Sequence, residues 1–187
     1  MTPKTTSLLT DTQPHCHIVY PSSDEQKIDE AVAVFASAGI RKGEGVILVS
    51  TSERRAFIES RLQCDGHDVK AAEYRGQLTF LEAAPLLAAF TEAGTPNAAL
   101  FKTAVSGIIE KAGINPSTGK PRKVRIFGEM VSLLYMADNV AAAERLEEFW
   151  NELVEAHSIS LFCAYSLKAY GDVLPQPLLD AHSEHIN

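Results

Sequence analysis

The chain has 187 residues, 45% hydrophobic and 22% charged, a balance that suits one globular domain with a sizeable core and excludes a disordered or fibrous chain. A formal net charge of -7 argues against non-specific binding to DNA or to an anionic membrane surface. No apolar run approaches the roughly 20 residues that span a bilayer, and the polar, Thr-rich start has no signal-peptide core.

Residues 1–14 read as a flexible lead-in, followed by a single domain over residues 15–187. The β-rich run His17-Ile18-Val19-Tyr20 is stopped by Pro21-Ser22-Ser23-Asp24. Ile28, Val32 and Phe35 then share a helical face, with Gly39 expected to close the helix. The unbroken apolar run Gly45–Ser50 predicts a strand buried on both faces. Ser52 is placed to cap a helix whose apolar face is Phe57, Ile58 and Leu62. Leu78–Leu81 predicts a third strand, and Pro85 suits the first turn of a short helix carrying Leu86, Leu87 and Phe90. Thr95-Pro96 is expected to open a longer helix, since Leu100, Phe101, Ala104, Val105, Ile108 and Ile109 recur every three to four residues. A polar loop leads to the strand Val124–Phe127. A last long helix, with Leu146, Phe149, Trp150, Leu153 and Val154 on one side, leads to the strand Ile159–Ala164. Strands alternating with helices predict a three-layer α/β/α fold around a mainly parallel sheet.

In such sheets ligands bind beyond the carboxyl ends of the strands, where the loops part. The rule selects Tyr20 and Ser22 after the first strand and Ser50 and Thr51 after the second. It also selects Gly128, Glu129 and Met130 after the fourth and Tyr165 and Ser166 after the fifth, with His17 as a further candidate contact. Hydroxyls, one carboxylate, a thioether and aromatic rings suit a small organic molecule better than a polyphosphate. A phosphate loop needs G-x-x-x-x-G-K-[ST] directly after a strand. The turn Pro21-Ser22-Ser23-Asp24 has neither glycine nor lysine. Gly119-Lys120 is followed by Pro121, is one residue too far from Gly113, and precedes a strand instead of following one.

The residues His15-Cys16-His17-Ile18-Val19-Tyr20, Gly43-Glu44-Gly45-Val46, Gly76-Gln77-Leu78, Phe127-Gly128-Glu129-Met130 and Cys163-Ala164-Tyr165 occur in this order. In them the chain resembles the MEDS domain, a sensory domain named after methanogen and methylotroph proteins and the dichloromethane-responsive repressor. The resemblance covers roughly Pro14 to the C-terminus. It implies a fold similar to RecA and the circadian-clock ATPases with a degenerate phosphate loop, and the sensing of hydrocarbon-derived or similar small organic ligands. Members commonly sit beside a helix-turn-helix or histidine kinase module. This chain ends at Asn187 with no such module, so a separate regulatory partner, such as a histidine kinase or transcription regulator, is expected to receive the signal.

Individual residues carry weaker expectations. Glu129 serves either as a ligand contact or as a carboxylate that fixes a strand end through backbone N–H groups. His15, Cys16 and His17 alternate across a strand, so they cannot all face one ion. Cys163, His182 and His185 are distant in sequence, and no metal or cofactor is assigned. Cys163 is expected to be a packing residue, as are Phe149 and Trp150, whereas Tyr165 is expected beyond its strand end, lining a pocket. Lys120, Arg122, Lys123 and Arg125 read as a solvated basic loop. Three widely spaced cysteines suit a reducing compartment, hence a cytoplasmic location. No Ser-His-Asp set, nucleophile elbow or dinucleotide glycine motif supports an ordinary enzyme. The leading expectation is therefore a ligand-sensing domain, with homo-oligomerisation open. The alternatives are a degenerate RecA-like nucleotide-binding protein or ATPase using Glu129, and a scaffold that binds other proteins.

Overall fold

A computed structural model describes residues 1–167 and 173–186. In chain order the elements are α1 (Pro3–Thr10), β1 (Cys16–Ser22), α2 (Glu25–Arg41), β2 (Gly45–Ser50), α3 (Ser52–Cys64), α4 (Val69–Tyr74), β3 (Leu78–Glu82), α5 (Ala83–Ala89), β4 (Thr91–Glu92), β5 (Thr95–Pro96) and α6 (Ala98–Ala112). They continue with β6 (Val124–Gly128), α7 (Met130–Met136), α8 (Val140–Ala156), β7 (Ile159–Ser166), α9 (Gln176–Asp180) and β8 (Glu184–His185). Six strands form one sheet in the order β3-β2-β6-β7-β1-β8. Every neighbouring pair in it is parallel. The strands β4 and β5 make a separate antiparallel hairpin.

Strand alternation divides the core between the two faces of the sheet. Val19, Ile47, Val49, Ile126, Leu161, Cys163 and Tyr165 pack with Phe101, Leu146 and Trp150 under α6 and α8. On the other face Ile18, Val46, Leu48, Phe127 and Phe162 pack with Val32 and Phe35 of α2 and with Ile58 and Leu62 of α3. All residues of β2, β6 and β7 are buried. Those strands hold three of the four interior places of the sheet, as their continuous apolar runs require. The expected α/β/α architecture is therefore present.

Several local expectations are corrected. Residues 3–10 form a helix, not a loose lead-in: Thr2 caps it by accepting from the Thr5 N–H, and Leu9 is fully buried. The segment's polarity hid this, because its last turn is held by a residue far away in sequence. Arg125, expected in a solvated loop, is buried on β6 and donates from Nη1 to the Leu9 carbonyl (2.6 Å) and from Nη2 to the Thr10 carbonyl (2.8 Å). It also pairs with Glu44 and lies over the Phe35 ring at 5.1 Å.

Gly39 does not close α2, which runs on to Arg41; Gly43, with φ of 73°, supplies the left-handed turn. Gly39 makes room instead, since a methyl group there would stand 2.8 Å from both Arg125 Cδ and Val46 Cγ2. Thr95-Pro96 belongs to the hairpin, and Asn97 starts α6 by accepting from the N–H groups of Ala99 and Leu100. Thr51, not Ser52, caps α3.

Candidate ligand-binding site

The carboxyl ends of β2, β6 and β7 open beside the first turns of α2 and α3, and a cleft of about 460 Å³ lies there. Arg54, in the first turn of α3, is its organising residue. Its guanidinium pairs with Asp29, with Glu25 Oε2 at 2.9 Å, and with Glu129 Oε1 at 3.0 Å through Nε. Glu129 also accepts the Thr51 N–H at 2.7 Å, so its carboxylate joins the loop after β6 to the start of α3. The Ser166 hydroxyl at the end of β7 donates to Glu25. Glu53 of α3 and Ser132, Leu133 and Met136 of α7 complete the lining, the last two adding apolar side chains to a polar floor.

The charges do not balance. Glu25, Asp29 and Glu129 surround one guanidinium. Burial pushes the Asp29 carboxyl above its ordinary range; Arg54 opposes that shift, and Glu25 and Glu129 add to it. Burial disfavours the Arg54 charge, but Glu129 and Asp29 outweigh it and raise the guanidinium pKa. The N-terminus of α2, directly after β1, is already filled by its own side chain. Asp24 accepts from the N–H groups of Gln26 and Lys27, the kind of donors that would meet a phosphate at such a helix start.

Of the residues selected from sequence, Thr51, Glu129 and Ser166 meet in this cleft. Tyr20 and Ser22 line a different groove of about 560 Å³, shared with Thr5, Lys27 and Leu167. Met130, expected to contact a ligand beyond the fourth strand, is fully buried in the first turn of α7. Ser50 is buried at the end of β2, and its hydroxyl has no hydrogen-bond partner among the described residues. Tyr165 does not stand beyond its strand: β7 extends through Ser166, and alternation turns the ring inward onto the α8 side. Arg54, Glu25 and Asp29 were missed because helix-start charges resemble ordinary surface residues. The signal was that α2 and α3 both begin at the ligand-bearing edge.

His17 and Tyr165 meet elsewhere, in a buried polar cluster between β1, β7 and α8 that also contains Glu147, Cys163 and His182. Glu147 is fully enclosed and accepts the Tyr165 hydroxyl at 2.5 Å. Its Oε2 lies 3.4 Å from His17 Nε2, and its Oε1 lies 3.2 Å from His182 Nε2. Burial works against this carboxylate, but His182 and His17 outweigh it and hold the pKa well below the usual range. Burial first, and then Glu147, push the Cys163 thiol and the Tyr165 hydroxyl well above theirs. The ring nitrogen of His15 instead meets the Val154 carbonyl at 2.7 Å, so His15 and His17 do not converge. Glu147 was invisible as a site residue because its partners come from both ends of the chain. Its clue was a carboxylate on the apolar stripe of α8, between Ala143 and Trp150.

Three layers around a parallel sheet, with a charged cleft at the sheet's carboxyl edge, define an α/β domain of the open-sheet class. Within that class the chain belongs to the MEDS family, described as the methanogen/methylotroph, DcmR sensory domain, which matches residues 16–183. No curated protein matches the chain. Membership assigns it to a family of sensory domains, consistent with a signalling role. No described helix is long and apolar enough to cross a membrane.

Proposed function

We propose that the chain is a sensory domain for a small uncharged or cationic organic molecule, such as a hydrocarbon derivative with one polar group, bound in the cleft around Arg54. The supporting observation is the bridge Arg54 makes from α3 to Glu25 and Asp29 of α2 and to Glu129 after β6. A ligand donor competing for these carboxylates changes how α2 and α3 are tied together, while Leu133 and Met136 offer contact to its apolar part. Signalling then follows by population shift: the ligand favours the arrangement in which the bridge is rearranged, and a regulatory partner reads the moved helices. The excess of carboxylates, together with Asp24 at the start of α2, weighs against a triphosphate. It also weighs against Glu129 as a catalytic base, because both its oxygens are engaged.

Thermal shift and NMR titration with short alcohols, amines and halogenated methanes test the proposal, with ATP and magnesium as the comparison. A saturable rise in melting temperature is expected from one of the organic classes, with amide shifts centred on Thr51, Arg54 and Glu129. Glu129→Gln, checked for its fold by circular dichroism, is expected to weaken that binding at least about tenfold, the loss of roughly one charged hydrogen bond. Saturable stabilisation by ATP and magnesium alone, or organic binding mapped only to the Tyr20 groove, overturns it.

A further inference from the structure

The buried cluster is built as metal sites are built. Asn151 Nδ2 donates to the Ala181 carbonyl at 2.9 Å, which fixes the amide and leaves Oδ1 facing His17 Nδ1 at 2.8 Å. His17 therefore carries its proton on Nδ1. His182 Nδ1 meets the Leu178 carbonyl at 2.7 Å, so its proton is there too. Both rings thus turn Nε2 toward the same point, each oriented by a carbonyl acceptor on its other nitrogen, as metal-bound histidines are. His182 Nε2 is buried with no hydrogen-bond partner among the described residues, although Glu147 Oε1 is 3.2 Å away. An enclosed imidazole nitrogen with no hydrogen bond, beside a carboxylate, is placed to share a cation with it.

We propose that His17, Glu147, Cys163 and His182 bind a divalent transition-metal ion of the zinc class. This site is separate from the cleft and does not depend on how that cleft is read. One ligand atom from each residue lies within 4.8 Å of the other three. His17 Nε2 is 3.3 Å from Cys163 Sγ and 3.4 Å from Glu147 Oε2. Bonds of about 2.0–2.3 Å to a tetrahedral ion separate neighbouring ligand atoms by roughly 3.3–3.8 Å, so these two distances already fit and the widest pair must close by up to about 1 Å. Two imidazoles with a thiolate and a carboxylate make a borderline donor set, which favours zinc-like ions over magnesium or calcium. The charges also close: a dication with one thiolate and one carboxylate is neutral, the state least opposed by full burial. On binding, the Cys163 S–H bond breaks, its sulfur lone pair goes to the metal, and the thiol proton leaves to buffer together with any proton carried on the two Nε2 atoms. The Tyr165 hydroxyl remains on the carboxylate as an outer partner. Since His182 lies just beyond α9, the ion would fasten the C-terminal segment to β1, β7 and α8.

The test uses the full chain with Cys16→Ser and Cys64→Ser, which leaves Cys163 as the one thiol of the three. Cobalt(II) is added both to the folded protein and during refolding from denaturant, under reducing conditions. The expected result is one cobalt per chain, a near-ultraviolet thiolate-to-cobalt band, the intense visible bands of a four-coordinate site, and displacement by zinc. Asn151→Ala, which touches only the outer face of His17, is expected to weaken zinc binding about 10–100-fold in chelator competition. A protein with native circular dichroism that takes up no cobalt by either route, or takes it up without the thiolate band, overturns the proposal. If Asn151→Ala disrupts folding, the cobalt spectrum of the variant carrying Cys16→Ser and Cys64→Ser decides alone.

Discussion

Arg125→Ala is the substitution for which the geometry makes the sharpest demand. The guanidinium is buried, pairs with Glu44, and donates to the last two carbonyls of α1, which Thr12 and Lys42 also reach. Removing it leaves Glu44 without its buried partner, a situation that typically costs about 3–5 kcal/mol. The two carbonyls lose charge-assisted bonds as well, but these belong to the same network and do not add in full. A total loss of about 3–5 kcal/mol is thus expected, a large share of the roughly 5–15 kcal/mol that holds a typical domain together. The damage should be uneven. Leu9 would then be the principal remaining anchor of α1, so amide exchange in residues 5–11 should rise well beyond the global change. Urea unfolding and hydrogen exchange by mass spectrometry give both quantities. Adding Glu44→Gln to Arg125→Met should recover part of the loss, because no charge is then stranded. A single variant within about 1 kcal/mol of the parent, with α1 protection intact, would refute the account.

Three further outcomes follow from local geometry. Gly45→Ala should destabilise by about 1–3 kcal/mol in urea melts, because a methyl group there would lie 2.3 Å from the Ala112 carbonyl oxygen. Asn97→Ala should cost about 1 kcal/mol and loosen the hairpin, since its side chain both caps α6 and donates to Glu92; exchange at Ala99 and Leu100 reports it. Burial and the nearby Arg41 depress the pKa of the half-buried His67. Its contribution to stability is complete above the unfolded-state pKa and is lost as pH falls through the lower folded one. Wild type should therefore lose stability relative to His67→Gln on acidification through about pH 6.5, and parallel curves for the two proteins would contradict this.

The central strands were legible because fully buried parallel strands leave continuous apolar runs, as in Gly45–Ser50 and Val124–Phe127. The long amphipathic helices α2, α6 and α8 were legible from their apolar spacing. What escaped depended on partners remote in sequence. α1 needs Arg125, and α7 has no polar face to give it a helical period, since Met130, Val131, Ser132, Leu134 and Tyr135 are all buried. At the candidate site, the rule about strand ends found Thr51 and Glu129, but could not see that helix-borne Arg54 ties them to α2. Tyr165 was misplaced by two residues of strand length, enough to carry its ring from a pocket wall into the interior.

The order of the sheet also dictates when the fold can close. In the sheet β1 touches only β7 and β8; Cys16 pairs with Ser160, and Ile18 with Glu184. A ribosome must therefore release the chain through β7 before β1 finds a neighbour. Until then an apolar ribbon around Ile18 and Val19 stays open to adhesion by other nascent chains. A circular permutant that begins at the β4–β5 hairpin would make the segments that flank this ribbon first, and should accumulate in soluble form more readily during synthesis.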